Sequence, residues 1–186
     1  MQLFGKNLHH STDWPALVEG CIRGDRKAQK ALFDALSGKM YALCLRYMGS
    51  RDEAEDVLQD GFVTLYSKLD SYSGAGSFEG WARKIFVNTA LMSLRKKDVL
   101  KQSEDVDVAW NITSDDPSAV QKIGYRELSK MISELPPGFR TVFNMYIIEG
   151  YSHKEIAEAL GVSEATSRSQ LQRARTLLQS KIKEKY

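Results

Sequence analysis

Apolar residues recur at three- and four-residue spacings through most of this chain, and this periodicity restricts its fold more than any other feature. Such spacing places an apolar stripe along a helix, whereas a half-buried strand alternates at every second residue. The pattern returns after residue 119, and no strand-like run interrupts it. In the first half, four stripes are found over about 13–23, 27–47, 52–69 and 78–97. The sequence therefore predicts an all-α protein.

The charged residues divide the chain further. Residues 81–101 carry six cations and one anion, whereas residues 102–120 carry five anions and no cation. Residues 99–118 also lack a sustained period, which is typical of a flexible linker. We therefore predict two small helical domains joined by an acidic linker over 99–118: a four-helix domain over 12–98 and a helix-turn-helix domain over 119–183.

Several functional classes are disfavoured by composition. Cys21 and Cys44 have no CxxC spacing and lie in apolar-periodic stretches, so both are predicted to be buried free thiols. The sequence has neither a secretory signal nor an apolar run long enough to span a membrane, which predicts a cytoplasmic protein. No metal, cofactor or catalytic residue is expected, because the three histidines have no matching acidic partners.

A helix-turn-helix is predicted near the C-terminus. Ser152 and Glu155 match a capping box, Gly161 supplies the turn, and Ser163 caps a second helix. That helix is expected to bury Ala165, Leu171, Ala174, Leu177 and Leu178, over a supporting core that includes Leu135, Val142, Phe143, Tyr146 and Ile147. Its remaining side chains suit a DNA major groove, where Arg reads guanine and Gln reads adenine. An ordinary helical hairpin with a solvated basic face is the alternative. The candidate DNA contacts are Ser163, Glu164, Thr166, Arg168, Ser169, Gln170, Arg173 and Arg175.

The third predicted helix carries a stripe of carboxylates. Asp52, Asp56 and Asp60 follow at four-residue steps and so share a face, with Glu55 and Gln59 alongside. Such a stripe suits a divalent metal, a basic partner surface or plain solvation. A partner surface is favoured over a solvated face because of the helix that follows.

The fourth predicted helix and the loop before it mix aromatic rings with cations. Aromatic rings stack on unpaired bases and cations hold phosphates, so this mixture favours single-stranded DNA. Trp81 and Phe86 also fall at core spacing, and burial of most of the rings is the alternative. The candidate contacts are Ser73, Gly74, Ala75, Gly76, Ser77, Trp81, Arg83, Lys84, Asn88, Arg95 and Lys96.

From about residue 28 to residue 182 the chain resembles the extracytoplasmic-function (ECF) sigma factors of bacterial RNA polymerase. RDEAEDVLQDGFVTLYSKL resembles the segment that docks on the clamp helices of the largest polymerase subunit, with Asp56, Gln59 and Asp60 at its most characteristic positions. SFEGWARKIFVNTALMSLRKK resembles the segment that melts and reads the minus-ten element, with Asn88 near the bases. GVSEATSRSQLQRAR resembles the recognition helix for the minus-thirty-five element.

The resemblance implies a specificity subunit that binds core polymerase at its clamp helices and flap, recognises and melts promoter DNA, and is held inactive by an anti-sigma factor. It also implies that the loop 73–77 walls a pocket for a flipped base and that the acidic linker lies in the RNA-exit path. Met92 stands where family members often carry Asp, and the pocket loop has Gly and Ala where charges are frequent. A stand-alone helix-turn-helix regulator is the alternative, although it needs no docking stripe; a metal-dependent nuclease is a third possibility.

Overall fold

A computed structural model describes residues 12–96 and 125–185 of the chain. Both described ranges are helical and contain no strand, which confirms the predicted all-α class with two small helical domains. The linker 99–118, with Trp110, and the first eleven residues lie outside the described ranges. The helices are α1 (Trp14–Ile22), α2 (Arg26–Met48), α3 (Arg51–Ser67), α4 (Phe78–Lys96), α5 (Tyr125–Ser133), α6 (Pro137–Phe143), α7 (His153–Leu160) and α8 (Glu164–Lys185). A 3-10 turn (Leu69–Ser71) follows α3, and a π-helical segment (Asn144–Ile148) continues α6.

Polar caps fix where these helices begin and end. The Asp25 carboxylate accepts from the Lys27 amide at 2.8 Å, and the Ser50 hydroxyl accepts from the Glu53 amide. Gly49 ends α2 at φ 78°, a left-handed conformation that glycine adopts without a steric penalty. The predicted capping box of Ser152 and Glu155 is present at the start of α7. Short-range sequence signals therefore account for these helix boundaries.

The core of the first domain lies between α2, α3 and α4. Leu32, Leu36 and Met40 of α2 are fully buried, as is Phe86 of α4. Gly61 allows α3 and α4 to approach closely, because a Cβ at this position would overlap the Phe86 ring. Cys21 and Cys44 are free and buried in this core, as predicted. The close approach of α3 and α4 brings their outer faces to opposite sides of one groove.

The second domain has a smaller core that differs in detail from the prediction. Phe139 is fully buried, among a cluster formed by Met131, Ile132, Leu135, Ala174, Leu178 and Ile182. The expectation that Ala165 and Ile147 are buried is wrong: Ala165 is exposed, and Ile147 is 46% exposed. Ser167 and Gln170 occupy the buried side of α8 instead. The rotation of α8 about its own axis decides which of its small or polar residues are buried. Residue types alone do not determine that rotation.

The two domains pack against each other, which the sequence did not predict. Apolar residues of the second domain, including Val142 and Ile156, belong to the same buried cluster as the core of the first domain. The Arg140 guanidinium donates to the carbonyls of Tyr47 and Met48 at 3.0 Å each. Asn144 donates to the Arg46 carbonyl, also at the end of α2. Polar and apolar contacts therefore join the domains.

Candidate nucleic-acid and partner interfaces

The carboxylate stripe of α3 borders a groove that α4 closes on its other side. Asp56 and Asp60 line this groove together with Asn88 and Lys96 of α4, and its volume is about 420 Å³. The remaining stripe residues, Asp52, Glu55 and Gln59, are exposed outside the groove. The structure thus brings candidate docking residues next to candidate DNA contacts.

Two apolar side chains lie exposed in the same groove; Val63 was missed by the sequence analysis, and Met92 was noted there only as a departure from the family pattern. Val63 is 64% exposed and Met92 is 57% exposed, and both line this one groove. Single exposed apolar side chains are common, but neighbouring ones form a patch. Glu53 adds a further carboxylate to the groove wall. An apolar centre with a charged border is typical of a protein interface. Their positions could have indicated this exposure, because Val63 and Met92 fall outside the apolar stripes of their helices.

The loop 73–77 is exposed and forms one wall of a second cavity. Gly74 and Gly76 adopt φ values of 76° and 80°, and the Tyr72 hydroxyl donates to the Gly76 carbonyl at 2.9 Å. The opposite wall comes from α1, through Trp14, Val18 and Ile22, and the cavity measures about 520 Å³. Ser73, Gly74, Gly76 and Ser77 line the cavity, whereas Ala75 does not. The contribution of α1 was not predicted, because α1 and the loop are far apart in the chain.

The aromatic residues before and within α4 pack mainly on each other. The Trp81 ring centroid lies 5.2 Å from that of Tyr72 and 5.6 Å from that of Phe78. Phe78 and Phe86 are buried, and Trp81 is half-buried. The structure therefore favours the alternative in which most of these rings belong to the core. Of these rings, Tyr72 and Trp81 keep a partly exposed edge.

The cations of α4 differ in their surroundings. Lys84, Arg95 and Lys96 are exposed, and so is Asn88. Arg83 is half-buried, and its guanidinium binds the Glu149 carboxylate of the second domain through two N–H groups, one of them at 2.9 Å. This ion pair raises the pKa of Arg83 through the hydrogen bond to Glu149. Arg83 therefore already has an anionic partner in the folded chain.

The helix-turn-helix has the predicted geometry, with a turn of residues 161–163 between α7 and α8. Arg168, Ser169 and Arg175 are exposed along α8. Gln172 is exposed as well; it was missed, although its spacing from Arg168 and Arg175 places it on the same face. The expected exposure of Gln170 is wrong, because that residue is only 6% exposed on the inner side of the helix. The candidate reading face therefore loses Gln170 and gains Gln172, within the same length of α8 that the sequence indicated.

Three further candidates at the start of α8 make local contacts. The Ser163 hydroxyl caps α8 by accepting from the Thr166 amide at 3.0 Å and contacts the Thr166 hydroxyl at 2.9 Å. Glu164 pairs with Arg168 at 2.9 Å, and both side chains are largely exposed. An exposed pair of this kind is weak, so it does not prevent Arg168 from binding DNA.

Arg173 lies on the flank of α8. Its guanidinium carbon is 5.9 Å from the centroid of the Phe139 ring, and the residue is half-buried. This position suits a cation–π contact that supports the domain core. Arg173 is thus less accessible than Arg168 and Arg175.

His153 links the two helices of the helix-turn-helix. Its Nδ1 atom is 2.9 Å from the hydroxyl of the buried Ser167, and its ring stacks on Tyr146 with centroids 4.4 Å apart. Burial, reinforced by the positive charge of Arg168, lowers the pKa of His153. A neutral His153 therefore holds α7 and α8 in register at neutral pH.

Residues 12–96 and 125–185 contain neither a cluster of metal ligands nor a membrane-spanning helix. The His, Cys, Asp and Glu side chains of these ranges form no group of three that could hold a metal ion. The helices of these ranges include none that is both long and apolar enough to cross a membrane. Burial raises the pKa of the Cys44 thiol to about 12 and also raises that of Cys21.

Comparisons with known proteins match this arrangement. Residues 32–99 match the family model for Sigma-70 region 2, and residues 125–178 match the model for Sigma-70, region 4. The ECF RNA polymerase sigma-E factor of Haemophilus influenzae is 31% identical over 179 residues, covering 90% of this chain and 94% of the relative. The factor of the same name from Escherichia coli strain K12 is 30% identical over 177 residues, covering 89% and 92%.

A solved structure shows the same fold at lower sequence identity. It is the sigma factor RpoE in complex with the anti-sigma factor NepR from Bartonella quintana, with a TM-score of 0.52 and 22% identity, covering 83% of this chain and 96% of that one. The two family models and the full-length relatives agree with the resemblance seen in the sequence. This chain belongs to the ECF family of sigma factors and directs the initiation of transcription.

Proposed function

We propose that the exposed carboxylates of α3 dock this chain on the clamp helices of core RNA polymerase. The observation that supports this proposal is the groove between α3 and α4, where Asp56 and Asp60 border the exposed apolar side chains of Val63 and Met92. Complementary charge orients a partner, and burial of the apolar centre stabilises the complex. Asp52, Glu55 and Gln59 extend the same surface.

The DNA contacts are proposed to lie on two separate surfaces. The loop 73–77 and the edge of α4 take the melted minus-ten element. The α4 residues of this surface are the exposed Lys84, Asn88, Arg95 and Lys96, together with the half-buried Arg83. The exposed face of α8, centred on Arg168, Ser169 and Arg175, enters the major groove at the minus-thirty-five element. The cavity between the loop and α1 accepts a base flipped from the non-template strand, a step that costs a few kcal/mol.

The domain organisation is proposed to follow from these roles. Residues 12–98 dock on polymerase and open the minus-ten element, and residues 119–183 bind the minus-thirty-five element and the flap. Residues 99–118 connect the two parts and, being acidic, occupy the RNA-exit path by mimicking nucleic-acid charge. The chain binds and melts DNA without catalysing a reaction of its own, and it acts in the cytoplasm, where polymerase and the chromosome are found.

An anti-sigma factor is proposed as a further partner. The Bartonella quintana structure is a complex with such a protein. In this chain the apolar side chains in the α3–α4 groove offer a surface that an inhibitor can cover. Covering that groove would block polymerase docking directly.

The docking surface is tested by co-purification with core polymerase. The change of Asp56→Arg together with Asp60→Arg should weaken polymerase binding by at least about 30-fold, since disrupting close charge pairs at an interface costs roughly 2–5 kcal/mol. The matched control is Asp34→Arg with Asp70→Arg, which alters net charge equally at exposed positions of the same domain. Equal retention of polymerase by both double variants would contradict the proposed docking surface.

A further inference from the structure

Glu149 joins the two domains through an ion pair in which the carboxylate is buried. It follows the π-helical segment, and its side chain is only 3% exposed. Its carboxylate accepts from two nitrogens of Arg83 on α4 and from Arg46 Nη2 on α2, the last at 3.2 Å. Both guanidinium groups belong to the first domain and the carboxylate belongs to the second. The pair therefore exists only when the domains are in contact.

The same contact places a second carboxylate near the edge of α4. A cleft of about 360 Å³ between the domains is lined by Arg83 and Lys84 on one side and by Glu149 and Glu155 on the other. Hydrogen bonds from Ser152 lower the pKa of Glu155, and the positive charge of Lys84 adds to this effect. Two cations of the proposed minus-ten surface thus face two anions of the second domain.

Hydrogen bonds at the end of α2 add to this interface. The last carbonyls of a helix have no partner within the helix. Arg140 donates to the carbonyls of Tyr47 and Met48, and Asn144 Nδ2 donates to the Arg46 carbonyl at 2.9 Å. The second domain therefore satisfies three carbonyls that would otherwise need water.

The interface also contains features that oppose its closure. Within residues 12–96 and 125–185, three buried side-chain atoms have no hydrogen-bond partner: Arg46 Nε, Tyr47 Oη and Asn144 Oδ1. All three lie where the domains meet, and each regains a partner in water when the domains separate. The closed arrangement therefore has specific contacts but leaves three polar atoms without hydrogen bonds. Such a cost is expected of an interface that opens.

We propose that the free chain is held in a closed, self-inhibited state in which Glu149 occupies Arg83 in place of a DNA phosphate. A guanidinium that binds a carboxylate through two N–H groups uses the same donors for a phosphate. DNA and Glu149 therefore compete for Arg83, and opening the domains releases both Arg83 and Lys84. This inference rests on the proposed role of the α4 edge in minus-ten binding, but closure itself requires no polymerase.

Domain separation is the direct test. Spin labels at Lys30→Cys and Gln172→Cys, both exposed and in different domains, report the distance by pulsed electron paramagnetic resonance. The native thiols are buried with raised pKa values, which slows their labelling. The otherwise unaltered chain should give one narrow distance distribution. Glu149→Gln should broaden it toward longer distances, and Glu158→Gln, an exposed change of the same charge in the same domain, should leave it narrow.

DNA affinity provides the second readout. A labelled single-stranded 20-mer of random sequence should bind Glu149→Gln about tenfold more tightly than the unaltered chain, and Glu158→Gln less than about twofold more tightly, because only Glu149 competes for Arg83. Asn144→Ala, which removes the hydrogen bond to the Arg46 carbonyl, should shift both readouts in the same direction. If Glu149→Gln fails to fold, Asn144→Ala still tests the closed state through both readouts.

An unchanged distance distribution in Glu149→Gln and Asn144→Ala would overturn the closed state. Equal gains in affinity for Glu149→Gln and Glu158→Gln would overturn it as well, since they would reflect net charge alone. Polymerase co-purification of the same variants separates the two proposals: binding to polymerase with unchanged distances would refute closure only. Loss of polymerase binding by the unaltered chain would refute the proposed docking instead.

Discussion

The two cationic surfaces of this chain differ in how readily they can meet DNA. On α8, Arg168 and Arg175 are exposed, and the one ion pair there is a surface contact with Glu164. On α4, Arg83 is half-buried and bound to a carboxylate that is itself almost fully buried. Surface pairs contribute little to stability, whereas disrupting a buried pair is costly. The proposed minus-thirty-five surface is therefore open in the free chain, and part of the proposed minus-ten surface is covered.

The largest effect is expected from removing the open surface. Arg168→Ala together with Arg175→Ala should weaken upstream promoter binding by about 2–6 kcal/mol, at roughly 1–3 kcal/mol for each base contact. Footprinting of the complete polymerase complex measures the loss. The control is Arg23→Ala with Arg26→Ala, which removes two exposed cations far along the chain from α8. An upstream footprint of full strength in the α8 variant would contradict the assignment.

A smaller effect is expected from disturbing the packing of α3 against α4, the helix that carries Arg83. Gly61→Ala should destabilise the chain by about 1–3 kcal/mol, because the added methyl group overlaps Phe86 and forces α3 and α4 apart. Gly38→Ala is the matched change, since nothing lies within 4 Å of the added Cβ. It should stabilise α2 by about 0.5–1 kcal/mol. Urea unfolding measures both, and equal changes in the free energy of unfolding would contradict the packing described for Gly61.

The smallest effect concerns the pH dependence of the open surface. The pKa of His153 is lowered in the folded chain, so the unfolded chain binds a proton more tightly. The stability contributed by neutral His153 is present above its ordinary pKa of about 6.5 and is lost as the pH falls below that value. His153→Gln removes this titration and should lose less stability between pH 7.5 and pH 5.5. Urea midpoints at the two pH values test this, and equal losses in both proteins would contradict it.

The sequence predicted the helices and most of their ends because these depend on local signals. Apolar periodicity identified the helices, and residues such as Ser152 and Glu155 marked a boundary through their caps. The fold class and the family also followed from the sequence. The exposed stripe of Asp56 and Asp60 was found because a four-residue step keeps side chains on one helical face.

The sequence did not predict features that depend on contacts between distant segments. Gln170 was expected to face DNA, but packing of α8 on its own domain buries it. The Glu149 carboxylate lies 66 residues from Arg83 in the chain, and no local pattern indicates that pair. The same reason explains the missed wall of the loop cavity, where Trp14 and Ile22 come from α1. Domain packing, unlike helix formation, leaves no periodic trace in a single sequence.

Transcription reconstituted from purified core polymerase tests the central claim most directly. Adding this chain to core enzyme and genomic DNA of the source organism should produce run-off transcripts from discrete start sites. The variant Asp56→Arg with Asp60→Arg should abolish those transcripts, and Asp34→Arg with Asp70→Arg should retain them. Failure of the unaltered chain to direct initiation at any start site, or full activity of the α3 variant, would contradict the account.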